Sequence, residues 1–285
     1  MRAVPFSLDP AVVREVDARL DGVVRDERVA VPLAVESGSR AWGFPSPDSD
    51  YDCRFVYVRA EADYLDPWPR RDVVETPLDA VLDVNGWDLL KAVRLLVKGN
   101  ATVLEWARSP IVYRADDAFR AELLALAERV VDRDALRRHY LHVGLGQRDR
   151  WWAGSEVPLK KVFYALRPTA TLRWLRVRPG DVVPPMDLAA LLAESCVVRA
   201  ASALVARKAV TRETGSGPVP GPLAAFVDDE LARAFAVAAA PAAGRAAARE
   251  EAARFFRAAV ARYGAAVPRA GAARGALTPA RGAGR

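Results

Sequence analysis

The sequence predicts an α+β fold, in which a front half with a small mixed sheet precedes an all-helical rear half. Short β-prone runs and loops alternate with helical patterns up to about residue 115, and beyond Asp116 only helical patterns follow. A chain of 285 residues is long enough for two domains. We therefore expect a domain over 1–115, a helical domain over 116–263 and a disordered Ala/Gly/Arg tail over 264–285.

Local patterns predict the elements of the front half in chain order. Apolar residues recur at helical spacing from Pro10 to Arg28, which indicates an amphipathic first helix. A Gly38-Ser39 turn and a hinge with Pro45 and Pro47 then interrupt the chain, because no long helix survives two prolines so close together. The remaining patterns predict strands over 29–35, 51–58, 72–75 and 80–84, then helices over 86–96 and 104–110.

The distribution of charge argues against a strongly basic domain that binds a nucleic-acid duplex. The net charge is +6, but four arginines and no acid lie in the last stretch, from Pro268 onward, so most of the body is near neutral. The chain has no apolar stretch of the roughly 20 residues that would span a bilayer, and its start lacks a signal-peptide core. We expect no membrane association and a cytoplasmic location.

The cysteine and histidine content excludes several classes of enzyme. Cys53 and Cys196 are far apart and lack the spacing of a zinc or redox motif. His139 and His142 could share a helix face, but no further Cys or His completes a metal site. With only these histidines and cysteines, the chain has few residues that could form a catalytic Ser-His-Asp or Cys-His relay. The glycine motifs of other phosphate-binding enzymes are missing.

Two aspartates at the start of the second strand carry the main functional signal. Because strand side chains alternate between faces, Asp50, Asp52 and Arg54 share one face, opposite the residues that can enter a core. Unit charges ~4 Å apart repel by about 4 kcal/mol at an effective dielectric near 20, so two ionised aspartates need a counter-charge. Mg²⁺, which prefers one or two carboxylates together with phosphate oxygens, is the expected partner.

The Gly38-Ser39 turn lies shortly before the two aspartates and suits a triphosphate. A glycine at the mouth of a short helix lets backbone N–H groups approach phosphates, and the hydroxyl of Ser39 adds a donor. We predict that Gly38, Ser39 and the adjoining Arg40 bind the nucleotide. Asp50 and Asp52 would then hold the metal that accompanies it.

Asp83 is the candidate for a third acidic ligand. A carboxylate from a neighbouring strand commonly completes a two-metal site. Asp83 is flanked by apolar residues on a short predicted strand, which could lie beside the strand with the first pair. Asp79 and Asp88 lie close by in sequence, and we prefer Asp83 because Asp88 is predicted to fall inside a helix.

These motifs resemble the signature of the DNA polymerase β-like nucleotidyltransferase superfamily. The string over 36–44, continued over 46–52, closely resembles the branch of RNA-repair-pathway-associated nucleotidyltransferases, and segments 85–91, 99–106 and 159–168 are similar to it too. The likeness covers roughly residues 30 to 235. It implies a catalytic palm of a few strands and two helices, and a helical companion domain. It also implies Mg²⁺- or Mn²⁺-dependent transfer of a nucleotidyl group from a nucleoside triphosphate to an RNA end.

A segment of the rear half can be interpreted without the family. Lys160, Tyr164 and Arg167 fall on one face of a predicted helix, opposite a face of apolar residues. Two cations around an aromatic ring suit a triphosphate with a stacked base, or an RNA backbone. The alternative is a solvated basic face, and the upstream acidic pair favours the functional interpretation. Trp42 and Phe44, beside the turn, could stack on a base, but aromatic residues near an apolar turn more often pack in the core, and we expect core packing here.

The leading hypothesis is a metal-dependent nucleotidyltransferase that uses a nucleoside triphosphate, an RNA 3′ end as acceptor, and releases pyrophosphate. A second hypothesis keeps this site but transfers the nucleotide to a protein hydroxyl. A third is a catalytically silent, antitoxin-like module that binds nucleotide or RNA. The preferred base, the acceptor, the number of nucleotides added and the oligomeric state are left open by the sequence.

Overall fold

A computed structural model of the chain describes residues 1–79, 81–152, 154–237 and 244–267. The strands in this part of the chain are β1 Ala30–Glu36, β2 Tyr51–Val58, β3 Val73–Glu75, β4 Leu82–Asp88, β5 Val112–Ala115, β6 Val157–Pro158 and β7 Ser216–Gly217. The helices are α1 Pro10–Asp26, α2 Gly38–Ala41, α3 Glu61–Leu65, α4 Leu89–Val97, α5 Thr102–Arg108, α6 Asp117–Val130, α7 Arg133–Trp151, α8 Leu159–Val177, α9 Leu188–Leu192, α10 Val198–Ala209, α11 Gly221–Ala236 and α12 Arg245–Tyr263. The predicted α+β class is therefore confirmed.

A mixed sheet lies at the centre of the front half. Within the described residues its five strands run in the order β3-β4-β2-β1-β5. Strands β2 and β4 are parallel neighbours, whereas β1 pairs with both β2 and β5 in the antiparallel sense. The parallel register sets Asp52 directly opposite Asp83. The sheet thus places Asp52 and Asp83, each near the start of its strand, next to each other.

The two faces of the sheet are covered by different parts of the chain. Helix α1 packs its apolar stripe, which includes Val16 and Leu20, against the face that carries Cys53 and Phe55. The other face of the sheet, which carries Val56, packs against helices of both halves of the chain. Because residues alternate along β2, Asp52 lies on this second face, where the strand meets the helical part of the protein.

Strand β4 is longer than the sequence predicted. Residues 86–88, assigned above to a helix, continue the strand to Asp88, and α4 begins at Leu89. Burial alternates along all seven residues, and a Cβ at Gly86 would clash with the ring of Phe55. The prediction that Asp88 lies inside a helix is therefore wrong. Asp88 instead caps α4 by accepting a hydrogen bond from the backbone N–H of Leu90 at 2.8 Å.

Two further sets of strands were not predicted. Strand β5 lies at the sheet edge beside β1, although its sequence offers only a short apolar run between Pro110 and Asp116. The rear half, expected to be wholly helical, contains a two-residue ladder between β6 and β7. Such short pairings depend on a partner elsewhere in the chain, so local periodicity does not reveal them.

The apolar core crosses the predicted domain boundary. One cluster joins Leu33 of the sheet, Phe163 of α8 and Val260 of α12. Helix α12 returns to the front half, where the rings of Phe256 and Tyr64 lie 5.0 Å apart. The division near residue 115 thus does not coincide with a gap in the core.

The ordered chain extends into the predicted tail. Residues 264–266 form a turn of 3-10 helix after α12, and Val267 is buried. The expectation of disorder from residue 264 is therefore wrong for these first residues, because their backbone packs against the segment that follows β2. The rest of the predicted tail, 268–285, lies outside the described residues. In the described part of the chain, no helix has the length and apolar character needed to span a membrane.

Candidate active site

The Gly-Ser turn and Asp52 are in direct contact. Gly38 opens α2 with a φ of 64°, in the left-handed region that favours glycine. A Cβ at this position would clash with Oδ2 of Asp52. The backbone N–H of Ser37 also donates to the carbonyl oxygen of Asp52 at 2.8 Å. The glycine corner and the carboxylate of Asp52 thus share one small space.

Asp52 and Asp83 lie side by side and share the guanidinium of Arg54. Nη2 of Arg54 donates to Oδ1 of Asp52 at 2.9 Å and to Oδ2 of Asp83 at 2.7 Å. Burial raises the pKa of Asp52; the charge of Arg54 opposes this rise, whereas the charges of Asp83 and Asp50 add to it. Arg54 supplies a counter-charge within the protein, where only a divalent metal ion was expected from the sequence.

Asp50 is held through its backbone rather than its side chain. Nε of Arg40 donates to the carbonyl oxygen of Asp50 at 3.1 Å, and the same guanidinium lies 3.8 Å from the ring centroid of Tyr51. A second donor of Arg40 bonds the carbonyl oxygen of Ser49. The side chain of Asp50 is exposed. Arg40 thus fixes the segment that carries Asp50, and its contact with a nucleotide stays a prediction.

The three acids together do not form a metal site made of protein ligands alone. Among the described residues, no three His, Cys, Asp or Glu side chains converge in a way that could hold a metal ion. Mg²⁺, however, is usually bound by one or two carboxylates together with water and substrate phosphates. The adjacent carboxylates of Asp52 and Asp83, beside a corner that lacks a Cβ, fit an ion that arrives with a triphosphate.

A polar network that the sequence analysis missed extends from the Gly-Ser turn into the rear half. The hydroxyl of Ser39 donates to Oγ of Ser49 at 3.1 Å, and Ser49 in turn donates to Oε1 of Glu213 at 2.6 Å. Nζ of Lys160 donates to Oε2 of Glu213 at 2.7 Å. Nζ of the buried Lys208 lies 3.7 Å from Glu213. The segment around Glu213 contains no recognisable motif, so only the tertiary structure shows that Glu213 belongs to this network.

The network sets the charge state of its members. Burial alone would raise the pKa of Glu213, but hydrogen bonds from Lys160 and Ser49 and the two nearby lysines lower it overall. Burial alone would lower the pKa of Lys160, but the hydrogen bond to Glu213 and the charges of Tyr164, Glu213 and Asp50 raise it overall. The cation of Lys160 thus lies within electrostatic range of Asp50 and Asp52, and its contact with a nucleotide stays a prediction.

Lys160 and Tyr164 form the half-buried part of the predicted face of α8. Nζ of Lys160 lies 5.8 Å from the ring centroid of Tyr164. The ring is also within electrostatic range of Asp52. These two side chains therefore connect α8 with the acidic residues of the sheet.

Arg167 shares that face but is buried, so the alternative of a solvated basic face does not hold at this position, and its contact with a nucleotide stays a prediction. Only 5% of the residue is accessible. Nη1 donates to Oε1 of Glu105 at 2.8 Å, and Nε donates to the carbonyl oxygen of Met186 at 3.1 Å. The guanidinium lies 4.7 Å from the ring centroid of Trp42. Helix α8 is covered here by residues of the front half, which helical periodicity alone cannot show.

The aromatic residues beside the turn pack as predicted. The rings of Phe44 and Phe163 are stacked with centroids 4.4 Å apart, and Phe44 is fully buried. Trp42 is half-buried and meets Tyr164 edge to face at 5.7 Å. These contacts join the turn to α8 and fix the position of Tyr164 next to it.

Glu36 is a buried carboxyl group behind Asp52 that the sequence analysis did not single out. Its Oε1 accepts a hydrogen bond from the backbone N–H of Asp52 at 2.9 Å, and its Oε2 accepts one from the hydroxyl of Tyr113. Burial raises the pKa of Glu36 to about 7, although both hydrogen bonds lower it. Glu36 thus holds the start of β2 in place.

This pKa predicts a dependence of stability on pH. Below pH 4.5 the carboxyl group of Glu36 is protonated in the folded and unfolded chain alike; between 4.5 and about 7 the unfolded chain loses its proton first. The group's contribution to stability is therefore lost as pH rises through this window, by up to about 3 kcal/mol. Glu36→Gln should remove this loss. The free energy of unfolding of the variant should therefore rise relative to that of the parent as pH increases from 4.5 to 7. Chemical denaturation across the window measures it, and a constant difference would contradict the prediction.

The structure also allows the third acid to be tested. We expect Asp83→Asn to lower nucleotidyl transfer by about 10²-fold, because it removes one of two facing charges fixed at the site. Asp79→Asn should keep activity within a few-fold, since Asp79 pairs with Arg19 and accepts backbone N–H groups. Asp88→Asn should also keep activity and the cap of α4, because asparagine caps helices about as well as aspartate. Steady-state rates of the three variants measure this, and an inactive Asp79 variant beside an active Asp83 variant would reverse the assignment.

Together, these features define the class of protein. A mixed sheet that sets two acids side by side, against a Gly-Ser corner, is the arrangement expected of polymerase β-like nucleotidyltransferases. A model of the RlaP family, described as the RNA repair pathway DNA polymerase beta family, matches residues 12–258. The chain belongs to this family of DNA polymerase β-like nucleotidyltransferases associated with RNA repair, and the resemblance found in the sequence is confirmed.

A curated relative comes from Bacillus subtilis (strain 168). This relative, the uncharacterized protein YcgL, is 41% identical to the chain over 166 residues, which are 58% of this chain and 63% of the relative. The match thus spans less than two thirds of the relative's length. Its name describes no activity.

Proposed function

We propose that the protein transfers a nucleoside monophosphate from a nucleoside triphosphate to an acceptor hydroxyl, and that the acceptor is the 3′ end of an RNA. The observation that carries this proposal is the contact between Gly38 and Asp52, with Asp83 held beside Asp52. Family membership supports the reaction class and the association with RNA repair. The metal dependence, the acceptor and the residue roles are part of the proposal.

The chemistry is an in-line displacement at the α-phosphorus. The acceptor oxygen forms a bond to this phosphorus, the bond to the bridging oxygen of the β-phosphate breaks, and pyrophosphate leaves while the hydroxyl proton passes to solvent. Asp52 and Asp83, with Asp50 nearby, would hold Mg²⁺ or Mn²⁺, which supplies neutralisation of the developing negative charge. Catalysis then depends on positioning and fixed charge more than on an acid–base side chain.

The protein's own residues have distinct tasks in this scheme. Arg54 donates a hydrogen bond to each of the two facing carboxylates and so holds them side by side. The missing side chain at Gly38 leaves room for the carboxylate of Asp52 directly beside the turn, where the triphosphate and its ion would bind. Lys160 adds a cation within electrostatic range of Asp50 and Asp52. These tasks require no movement of the sheet.

A labelling experiment tests the proposal and separates the alternatives. The protein is incubated with each α-labelled nucleoside triphosphate, Mg²⁺ or Mn²⁺, and total RNA, and labelled RNA with equimolar pyrophosphate is the expected result. Label on protein rather than RNA would favour transfer to a protein hydroxyl. Metal-dependent binding of triphosphate without pyrophosphate release would favour the silent binding module and reject the proposed enzyme.

A further inference from the structure

A small cavity lies between the Gly-Ser turn and the helical half of the protein. Its volume is about 160 Å³, and its walls come from the end of α2 and from α5, α7 and α8. Trp42 and Tyr164 form one side of it. Tyr164 is one helical turn from Lys160, so the cavity lies next to the proposed triphosphate site. A space of this size can receive one planar ring system while the phosphates stay outside.

Three residues that line this cavity each have a buried polar side-chain atom with no hydrogen-bond partner among the described residues. These atoms are Nε1 of Trp42, Nη2 of Arg167 and Oε1 of Gln147. Arg167 is more than nine-tenths buried, and its other contacts are made by Nε and Nη1, which leaves Nη2 as an unused donor. Native proteins rarely leave such groups unpaired. Three of them around one cavity indicate a site built for a polar ligand.

The donors and the acceptor define the chemistry of that ligand. Two donors, from Trp42 and Arg167, suit a carbonyl oxygen, which has two lone pairs. The acceptor of Gln147 suits a neighbouring N–H group. Guanine and uracil present a carbonyl next to a ring N–H on one edge, whereas adenine has no carbonyl and the carbonyl of cytosine adjoins ring nitrogens without a proton. The aromatic wall of Trp42 and Tyr164 adds a surface for a planar ring.

We propose that this cavity binds the base of the incoming nucleoside triphosphate and selects guanine or uracil. The inference rests on the proposed function, since it assumes that the triphosphate lies at the Gly38 corner and Lys160. Arg167 then acts as a specificity residue, held in place by Glu105 and Met186. This role differs from the phosphate contact predicted from the sequence.

Binding measurements with non-reactive nucleotides test the proposal. The α,β-methylene analogues of the four nucleoside triphosphates and inorganic tripolyphosphate are titrated against the whole protein with Mg²⁺ by calorimetry. Trp42→Phe removes one donor and keeps a ring, and Gln147→Leu removes the acceptor. Trp68→Phe is the matched control, because Trp68 is exposed on the loop before β3 and does not line the cavity. Thermal unfolding checks that each variant is folded.

The guanosine and uridine analogues should bind at least about tenfold more tightly than the other two analogues and tripolyphosphate. Trp42→Phe and Gln147→Leu should each reduce this preference without changing the affinity for tripolyphosphate, and Trp68→Phe should change neither. Equal binding of all ligands, a preference for adenine or cytosine, no binding of the analogues, or a preference that survives both variants would overturn the proposal. Base preference without any pyrophosphate release from natural triphosphates would support the pocket and reject only the proposed enzyme.

Discussion

Replacing Asp52 with asparagine should lower nucleotidyl transfer by about 10²- to 10³-fold or more, the largest effect expected from any single substitution. Asp52 touches the glycine corner and faces Asp83, so its charge lies where the triphosphate and its ion are expected. The amide is close in shape to the carboxylate but lacks that charge. The rate of pyrophosphate release with saturating triphosphate measures the effect.

Stability should be nearly unchanged in the Asp52→Asn variant. Burial and two neighbouring acids already disfavour the ionised form of Asp52. Loss of its charge therefore removes unfavourable burial and repulsion, which offsets the lost attraction to Arg54. Asp21→Asn is a suitable control, because Asp21 pairs with Arg114 at the protein surface and away from the turn. An Asp52→Asn protein that is folded and retains more than about a tenth of the parent activity would contradict the assignment.

Replacing Gly38 with alanine should damage both fold and activity. The left-handed φ of 64° strains any residue with a Cβ, at a cost of about 1–3 kcal/mol in the free energy of unfolding. The same Cβ would displace the carboxylate of Asp52, so we also expect turnover to fall by about 10²-fold. Chemical denaturation and steady-state kinetics measure the two effects separately.

Gly146→Ala provides the control for this experiment. Gly146 lies inside α7, and nothing lies within 4 Å of a Cβ added there. Alanine favours the helix over glycine, so this variant should be equally or slightly more stable, by up to about 1 kcal/mol, and fully active. If Gly38→Ala behaved like Gly146→Ala, the close contact with Asp52 would not matter for function.

The sequence was most informative where a local rule and the tertiary structure agree. The alternation of β2 predicted that Asp52 and Arg54 share a face, and the structure places both there. The sequence analysis assigned Gly38, Ser39 and Asp52 to one nucleotide site, and the close approach of Asp52 explains why position 38 needs a glycine. Asp83 proved to be the register partner of Asp52, although one reason for preferring it, a helical Asp88, was wrong.

Other features could not be predicted because they depend on distant parts of the chain. Glu213 approaches Ser49 and Lys160 only through the fold of the rear half. Arg167 falls on the predicted face of α8, yet Glu105 buries it, and no periodicity shows which element covers a helix face. The extension of β4 depends on pairing with both β2 and β3, which outweighs the local helical pattern.

Pyrophosphate release by the Asp50→Asn, Asp52→Asn double variant tests the central claim most directly. The parent protein should release pyrophosphate from at least one nucleoside triphosphate, with RNA as acceptor, only when Mg²⁺ or Mn²⁺ is added. The double variant should be folded and should release none above background under the same conditions. Release by the folded double variant at a rate similar to that of the parent would show that these carboxylates do not hold the metal ion of the reacting triphosphate.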